Sequence, residues 1–508
     1  MIESLIHEQL LQELDREGTV PLSRQVYQVL SQLILSGVLR AGTKLPASRS
    51  LAQELGLSRN TVITAYEQLL AEGYVDTRTG SGTFVSQTVP DFDSQVFAAV
   101  PRARASSGTP TLSARGQQVM GSAQAAERQW GAFVPGVPDV SLFPHQLWLR
   151  LLRRHWRDPQ PELLTYAHGP GYYPLREALC AHLRIARSVY CEPEQVIITG
   201  GIHQSLAVIA LLLGDKGDKA WMEDPGYWGA STVLRTSGMT LEPVAVDEEG
   251  LAPTVEQAQQ PPRFIFVTPS HQYPLGHVMS LARRRMLLEY ARQHAVWIIE
   301  DDYDSEFRFG GRPIASLQGL DEHDRVLYLG TFSKTLFPSL RLGFMVVPKN
   351  LAQSMALGLS ELYREGRLTE QAVLADFIAQ GHYAAHIRKM RAVYARRQSL
   401  LREVITNHFG ADWPLSNQEA GLHLVMHLPV GVDDKALAQA AAEAGIWVRP
   451  LSNYYAGTVR THGLLFGYAT VQEEDIAPAF DRLAGLIKKA LAEGRREVLF
   501  GLNSEQAD

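Results

Sequence analysis

The sequence predicts an α/β multidomain protein in which a small winged helix-turn-helix precedes a much larger domain with a largely parallel sheet. Three observations predict it. Between Pro21 and Val85, three helical patterns are followed by two short apolar runs around a glycine-rich turn. From about Glu127 to Gly494, short apolar strands alternate with longer helical patterns. Between these regions the periodicity is lost, and Pro101 to Gly121 has the Ser, Ala, Arg, Gly and Pro bias of a linker. A chain of 508 residues also exceeds one ordinary core. The expected boundaries are a helical extension at 1–18, a winged helix-turn-helix at 19–87, a linker at 88–125, the large domain at 126–498 and a tail at 499–508.

The extension has Leu5, Ile6, Leu10, Leu11 and Leu14 at amphipathic spacing, as a helix packing on the first domain would. Pro21 to Ser36 reads as a helix with Val26, Val29, Leu30, Leu33 and Ile34 on one face. Ser48 to Leu55 reads as a second helix, stopped by Gly56. Ser58 is placed to cap a third helix that runs to about Ala71. Tyr74-Val75 and Thr83-Phe84-Val85 then form a hairpin around Thr79-Gly80-Ser81-Gly82.

This segment has the chemistry of a DNA reader. Ser48 and Arg49 open the second helix, where amides and a guanidinium can meet phosphate. Arg59, Asn60 and Thr61 open the third, the end that enters the major groove in this class. Arg and Asn suit base edges, whereas Thr61 serves equally as a cap. Arg78 and Ser81 lie at the wing tip, within reach of backbone or minor groove. From Pro21 to Gln87 there are six basic and four acidic residues, against a net charge of −6 for the whole chain.

In the large domain, strands are expected at Val196–Thr199, Ala220–Glu223, Phe264–Val267, Val296–Ile299, Val326–Leu329 and Phe344–Val347, with chemistry at their ends. Thr331-Phe332-Ser333-Lys334 follows one of them, with Arg341 seven residues on. A lysine there can hold pyridoxal 5'-phosphate as a Schiff base, with Thr331, Ser333 and Arg341 on the phosphate. Glu300-Asp301-Asp302-Tyr303 follows another strand. A carboxylate of this cluster can keep the pyridine nitrogen protonated, and Tyr303 can donate to the ring phenolate. An acidic cluster can also be a metal site, but no histidine is adjacent, and no metal is expected. Gly201, Ile202 and His203 open a helix whose amides suit phosphate, and Tyr227 can stack on the ring or simply pack. Thr268 to Gly276 forms a further loop that can place polar groups near the phenolate side, while His271 alone reads as a surface or structural histidine.

Two cysteines, Cys180 and Cys191, form no CxxC pair, so neither a zinc site nor a disulfide scaffold is expected. No stretch reaches the roughly 18 apolar residues of a membrane span. A cytoplasmic protein is the expectation.

Pro21 to Val85 resembles the GntR-type winged helix-turn-helix through Gly42-Thr43-Lys44-Leu45-Pro46-Ala47-Ser48-Arg49, Ser58-Arg59-Asn60-Thr61-Val62 and Gly80-Ser81-Gly82-Thr83-Phe84-Val85. The large domain resembles the type I aminotransferase fold, with large and small subdomains. Together they resemble the MocR group of GntR regulators. The carrying motifs are Glu223-Asp224-Pro225-Gly226-Tyr227, Thr268-Pro269-Ser270-His271-Gln272, Glu300-Asp301-Asp302-Tyr303-Asp304 and Thr331-Phe332-Ser333-Lys334. The resemblance implies that Lys334 carries the cofactor, Asp301 pairs with its ring nitrogen, Tyr303 meets its phenolate, Arg341 and Thr331 hold its phosphate and Tyr227 covers the ring. It also implies a head-to-tail homodimer on double-stranded promoter DNA, with an amino compound or the cofactor itself as effector. A catalytically active aminotransferase with an accessory DNA-binding domain is the alternative.

Two departures stand out. Tyr273 precedes Pro274 where aminotransferases usually have Asn, so the phenolate contact must come from another loop residue. The arginine for a ligand carboxylate is Arg460 or Arg449, and Arg460 is preferred because it precedes the strand Leu464–Phe466.

Overall fold

The computed structural model describes residues 2–87, 112–121, 130–166, 169–310, 315–364, 366–416 and 420–504. The chain divides after Thr111 into two compact units.

The first unit contains helices α1 (Ile2–Glu13), α2 (Leu22–Leu35), α3 (Ser48–Leu55) and α4 (Arg59–Ala71), then strands β1 (Val75–Arg78) and β2 (Gly82–Val85). Its core joins Val26, Leu30 and Ile34 of α2 to Leu51 and Leu55 of α3 and Val62 and Leu69 of α4. The extension packs into the same core through Ile6 and Leu10, while Leu5 and Leu11 stay exposed. Ser58 caps α4 as its position predicts, its Oγ accepting from the Thr61 amide at 3.1 Å. The hairpin pairs Val75 with Val85 and Arg78 with Gly82.

Of the expected linker, 88–111 and 122–125 lie outside the described residues. Between them Ala114–Gly121 is helical, where no element was expected. It buries no side chain, so there is no apolar stripe for periodicity to detect.

The second unit is organised by an eight-stranded sheet made of β3 (Val196–Thr199), β4 (Lys219–Asp224), β5 (Thr240–Asp247), β6 (Gly250–Leu251), β7 (Phe264–Val267), β8 (Trp297–Asp302), β9 (Val326–Thr331) and β10 (Gly343–Val346). Its order is β3-β10-β9-β8-β7-β4-β5-β6. The pairings β5-β4-β7-β8-β9 are all parallel. β10 is antiparallel to both β3 and β9, so β3 again points the same way as β9. Strands β3, β7 and β9 are buried at every position, as helices on both faces require. All six expected strands are present. β8 and β9 run past their apolar stretches because Asp301, Asp302, Gly330 and Thr331 stay in the ladder while carrying the polar ends. β5 was not anticipated, and its mixed exposure near the sheet edge blurs the pattern.

A smaller sheet of β11 (His423–Leu428), β12 (Arg449–Pro450) and β13 (His462–Gly467) has the order β11-β13-β12. It packs with the helices His382–Phe409 and Glu473–Ser504. The last helix continues past the expected boundary at 498 to Ser504, and 505–508 lie outside the described residues.

Leu30 is fully buried at the centre of the first unit. Leu30→Ala is expected to destabilise that unit by about 2–5 kcal/mol. Amide hydrogen exchange in α2–α4 should accelerate accordingly, with exchange in β7–β9 unchanged.

Candidate cofactor site and nucleic-acid interface

Because the parallel strands point the same way, their carboxyl ends meet on one side of the sheet. A cavity of about 380 Å³ lies there. All ten residues expected to hold the cofactor line it: Lys334, Asp301, Tyr303, Thr331, Ser333, Arg341, Tyr227, Gly201, Ile202 and His203. They come from the ends of β3, β4, β8 and β9, and Thr268 adds the end of β7.

Strand alternation sorts the acidic cluster at β8. Asp301 and Tyr303 face the cavity. Glu300 and Asp302 serve the scaffold instead. Glu300 accepts from the amides of Leu317 and Gln318 at 2.9 and 3.0 Å. Asp302 is held by Arg187 Nε at 2.6 Å and by the Tyr328 hydroxyl at 2.5 Å.

Helix α5 (Ile202–Leu213) begins at the cavity with Gly201 as its N-cap. Gly201 has φ +112°, and an added Cβ would lie 3.9 Å from Arg341 Nη1. Backbone amides and a guanidinium thus share one corner, the combination that binds phosphate. Thr331 Oγ1 accepts from the Ser333 amide at 3.2 Å. Tyr227 meets His203 Nε2 through its hydroxyl at 2.9 Å.

Asp301 is 5 % exposed, and its Oδ1 has no hydrogen-bond partner. Burial, reinforced by Asp302, pushes its carboxyl up to about 8, against the pull of Lys334. Burial lowers the Lys334 ammonium from its usual range, while Asp304 and Asp301 oppose the shift. The Lys334 Nζ donates to the Gly136 carbonyl at 2.6 Å. Tyr303 places its hydroxyl 2.9 Å from His271 Nδ1. Tyr273 lines the cavity and directs its hydroxyl to that of Tyr454 at 3.0 Å.

The structure separates the two candidate arginines. Arg460 is exposed and does not line the cavity, whereas Arg449 on β12 does. The preference for Arg460 rested on its position before β13. The neighbouring strand reaches the site instead, and at two residues β12 is too short for its periodicity to be legible. Thr268 and Tyr273 of the loop after β7 line the cavity too, and Gly136 and His423, which the sequence did not single out, join them.

The expected absence of a metal meets one qualification. Among the described residues, buried His271, Asp304 and His423 have the composition of a metal site, with candidate ligand atoms within 4.8 Å of one another. His423 is far from the acidic cluster in sequence, so adjacency gave no warning.

In the first unit, Ser48 and Arg49 open α3, and Arg59, Asn60 and Thr61 open α4. Arg49, Arg59 and Asn60 are exposed. Thr61 is half-buried, its hydroxyl 2.8 Å from the capping Ser58 Oγ. Arg78 and Ser81 are exposed at the hairpin turn, which the Ser81 amide closes onto the Arg78 carbonyl at 2.9 Å. The Arg78 guanidinium lies 4.7 Å from the Phe84 ring centroid, and Lys44 of the Gly42–Arg49 motif brings its ammonium to 5.9 Å of the same ring.

Residues 145–483 match the aminotransferase class I and II family, and residues 22–85 match the gntR family of bacterial regulatory proteins. The chain is 43% identical to the probable rhizopine catabolism regulatory protein MocR of Rhizobium meliloti, over 92% of this chain and 94% of that one. It is 30% identical to the HTH-type pyridoxine biosynthesis transcriptional regulator PdxR of Corynebacterium glutamicum, over 89% and 93% of the two chains. Among solved structures, the α-aminoadipate aminotransferase LysN of Thermus thermophilus aligns with TM-score 0.66 and 26% identity, over 74% of this chain and 97% of that one.

The Asp301 environment makes stability depend on pH. A carboxyl whose folded pKa is raised contributes stability that is complete below the unfolded value and lost as pH rises through the folded one. In the cofactor-free protein, the melting temperature of Asp301→Asn should gain on wild type as pH rises from about 4 to about 8, then hold steady. A difference that stayed constant over that range would contradict the assignment.

Proposed function

This chain belongs to the MocR-type group of gntR-family regulators, which join a winged helix-turn-helix to an aminotransferase class I and II domain, and on that footing we propose that it is a pyridoxal 5'-phosphate-dependent transcriptional regulator responding to an amino compound. The observation that carries the proposal is the convergence of ten cofactor-suited residues on one cavity, in a chain whose first unit exposes Arg59 and Asn60 at the start of α4.

Two features of the cavity fit this cofactor. The unpartnered Asp301 Oδ1 complements a protonated pyridine nitrogen. The Gly201 backbone and the Arg341 guanidinium complement a phosphate. When bound, pyridoxal phosphate supplies an aldehyde that condenses with primary amines and a cationic ring that withdraws their electrons. Lys334 is the amine of the protein that faces it, and burial enlarges its neutral, nucleophilic fraction. Thr331, Ser333, Arg341 and the amides at Gly201, Ile202 and His203 orient the phosphate. Tyr227 covers the ring, and Tyr303 offers its hydroxyl to the ring oxygen. Arg449 takes the carboxylate of the incoming amino compound, the role first assigned to Arg460.

DNA binding follows from the winged helix-turn-helix. We assign backbone contacts to Ser48, Arg49, Arg78 and Ser81, and groove contacts to Arg59, Asn60 and Thr61. The assembly proposed is a head-to-tail homodimer in the cytoplasm. No helix among the described residues is long and apolar enough to cross a membrane. The intact set of Lys334, Asp301 and Arg449 also supports the alternative of a working aminotransferase. Steady amino-group transfer to a 2-oxo acid at ordinary enzymatic rates would favour it.

Lys334→Ala should abolish the visible absorbance band of the cofactor-loaded protein and the amine response of promoter binding, while leaving DNA affinity in place. Survival of both the band and the response would refute the proposal. For an amino acid effector, Arg449→Ala is expected to raise the half-saturating concentration at least tenfold, the scale of about 1.5–3 kcal/mol for a hydrogen bond to a charged group. Arg460→Ala should leave it within about twofold. Spectroscopic titration measures both.

A further inference from the structure

Behind Tyr303 lies a buried imidazole that the proposed function does not use. His271 Nδ1 is 3.2 and 3.1 Å from the two carboxylate oxygens of Asp304 and 2.9 Å from the Tyr303 hydroxyl. His271 and Asp304 are 3 % and 1 % exposed. Three segments build the arrangement: the loop after β7, the turn after β8 and the approach to β11. Gly421, at φ +96°, leaves room that a Cβ would fill by overlapping the His271 ring. His423 lies against the same ring at 4.9 Å, its Nε2 facing the Pro274 carbonyl at 3.0 Å.

Elementary hydrogen-bond chemistry assigns the protons. A carbonyl only accepts, so His423 Nε2 carries a hydrogen and its Nδ1 does not. An ionised carboxylate also only accepts, so Asp304 requires a hydrogen on His271 Nδ1. Tyr303 therefore faces an N–H donor. Its oxygen accepts there, and its own proton is left to point elsewhere. Without Asp304 the preference reverses, because a bare Nδ1 lone pair is a good acceptor for a phenol.

We propose that Asp304 and His271 are a positioning pair that holds the Tyr303 hydroxyl proton toward the cavity, where it stabilises negative charge on the cofactor ring oxygen. This rests on the cofactor reading above. Neither residue is catalytic, since both act through Tyr303. The other titratable groups around Tyr303 and Lys334 are Asp301, Glu223, Tyr273, Arg449, His203 and His423. None of them lies within hydrogen-bonding distance of the Tyr303 hydroxyl, so Asp304 and His271 set its direction.

Two measurements test the pair. The first uses the cofactor-free full-length protein. Nitrogen-15 NMR of its histidines should show His271 protonated on Nδ1 in wild type and on Nε2 in Asp304→Asn, whose amide can donate to Nδ1. An unprotonated Nδ1 in wild type overturns the proposal, whatever becomes of the variant. The second follows visible absorbance of the cofactor-loaded protein against pH. Asp304→Asn should raise the transition pH by about one unit, a tenfold change in proton affinity. Tyr303→Phe should raise it similarly, and adding Asp304→Asn to Tyr303→Phe should shift it little further. Equal shifts from Asp304→Asn with and without the Tyr303 hydroxyl would mean a direct charge effect, and would overturn the pair. A wild-type protein that takes up no cofactor sinks the proposed function instead, while the tautomer result stands by itself.

Discussion

A carboxylate buried without a hydrogen-bond partner for one of its oxygens is the constraint around which the second unit is arranged. Asp301 is nearly inaccessible, and its Oδ1 meets no donor. Such a group is costly unless a cation or a proton answers it. Nearby carboxyls at Glu223, Glu300 and Glu306 are each pushed up to about 7, chiefly by burial. The scaffold answers some of this charge with Arg187, which holds Asp302, and with amides that hold Glu300. Asp301 Oδ1 is left unanswered. Under the proposed function a cationic ring nitrogen would answer it, and the lysine, the glycine-led helix and Arg341 would then serve one ligand.

Much of this was legible in the sequence, for identifiable reasons. Strands β3, β7 and β9 are uniformly apolar runs closed by glycine or a hydroxyl residue, so both the strand and the start of its functional loop could be read. The Ser58 cap was legible because a hydroxyl preceding a helical pattern has a local job. The illegible parts depend on long-range packing. β12 has two residues, and only its pairing with β13 gives Arg449 a direction. His271 looked like an ordinary loop histidine because its partners come from two other segments of the chain. The helix Ala114–Gly121 buries nothing and so left no apolar period to find.

The two units divide chemical labour in a way their surfaces reflect. In the first, the residues with base-reading chemistry are exposed on a small core closed by Leu30 and its neighbours, ready for a polyanion. In the second, the polar residues are enclosed, and their protonation is set by burial. Thr61 sits between these roles, since its hydroxyl is engaged with Ser58 at the mouth of α4. At that helix start Arg59 and Asn60 are the side chains left exposed, while Thr61 is half-buried beside the capping serine.

The alternation along β8 has a consequence for how this protein can change. Asp301 and Tyr303 look into the cavity, while Glu300 and Asp302 look into the scaffold. The strand behaves like a parity code. Losing or gaining one residue upstream in the ladder would exchange the two sets, delivering the Arg187-bound carboxylate to the cavity and the cavity-lining carboxylate to the core. Changes of odd length are forbidden between Trp297 and Tyr303, where the count decides which carboxylates line the cavity.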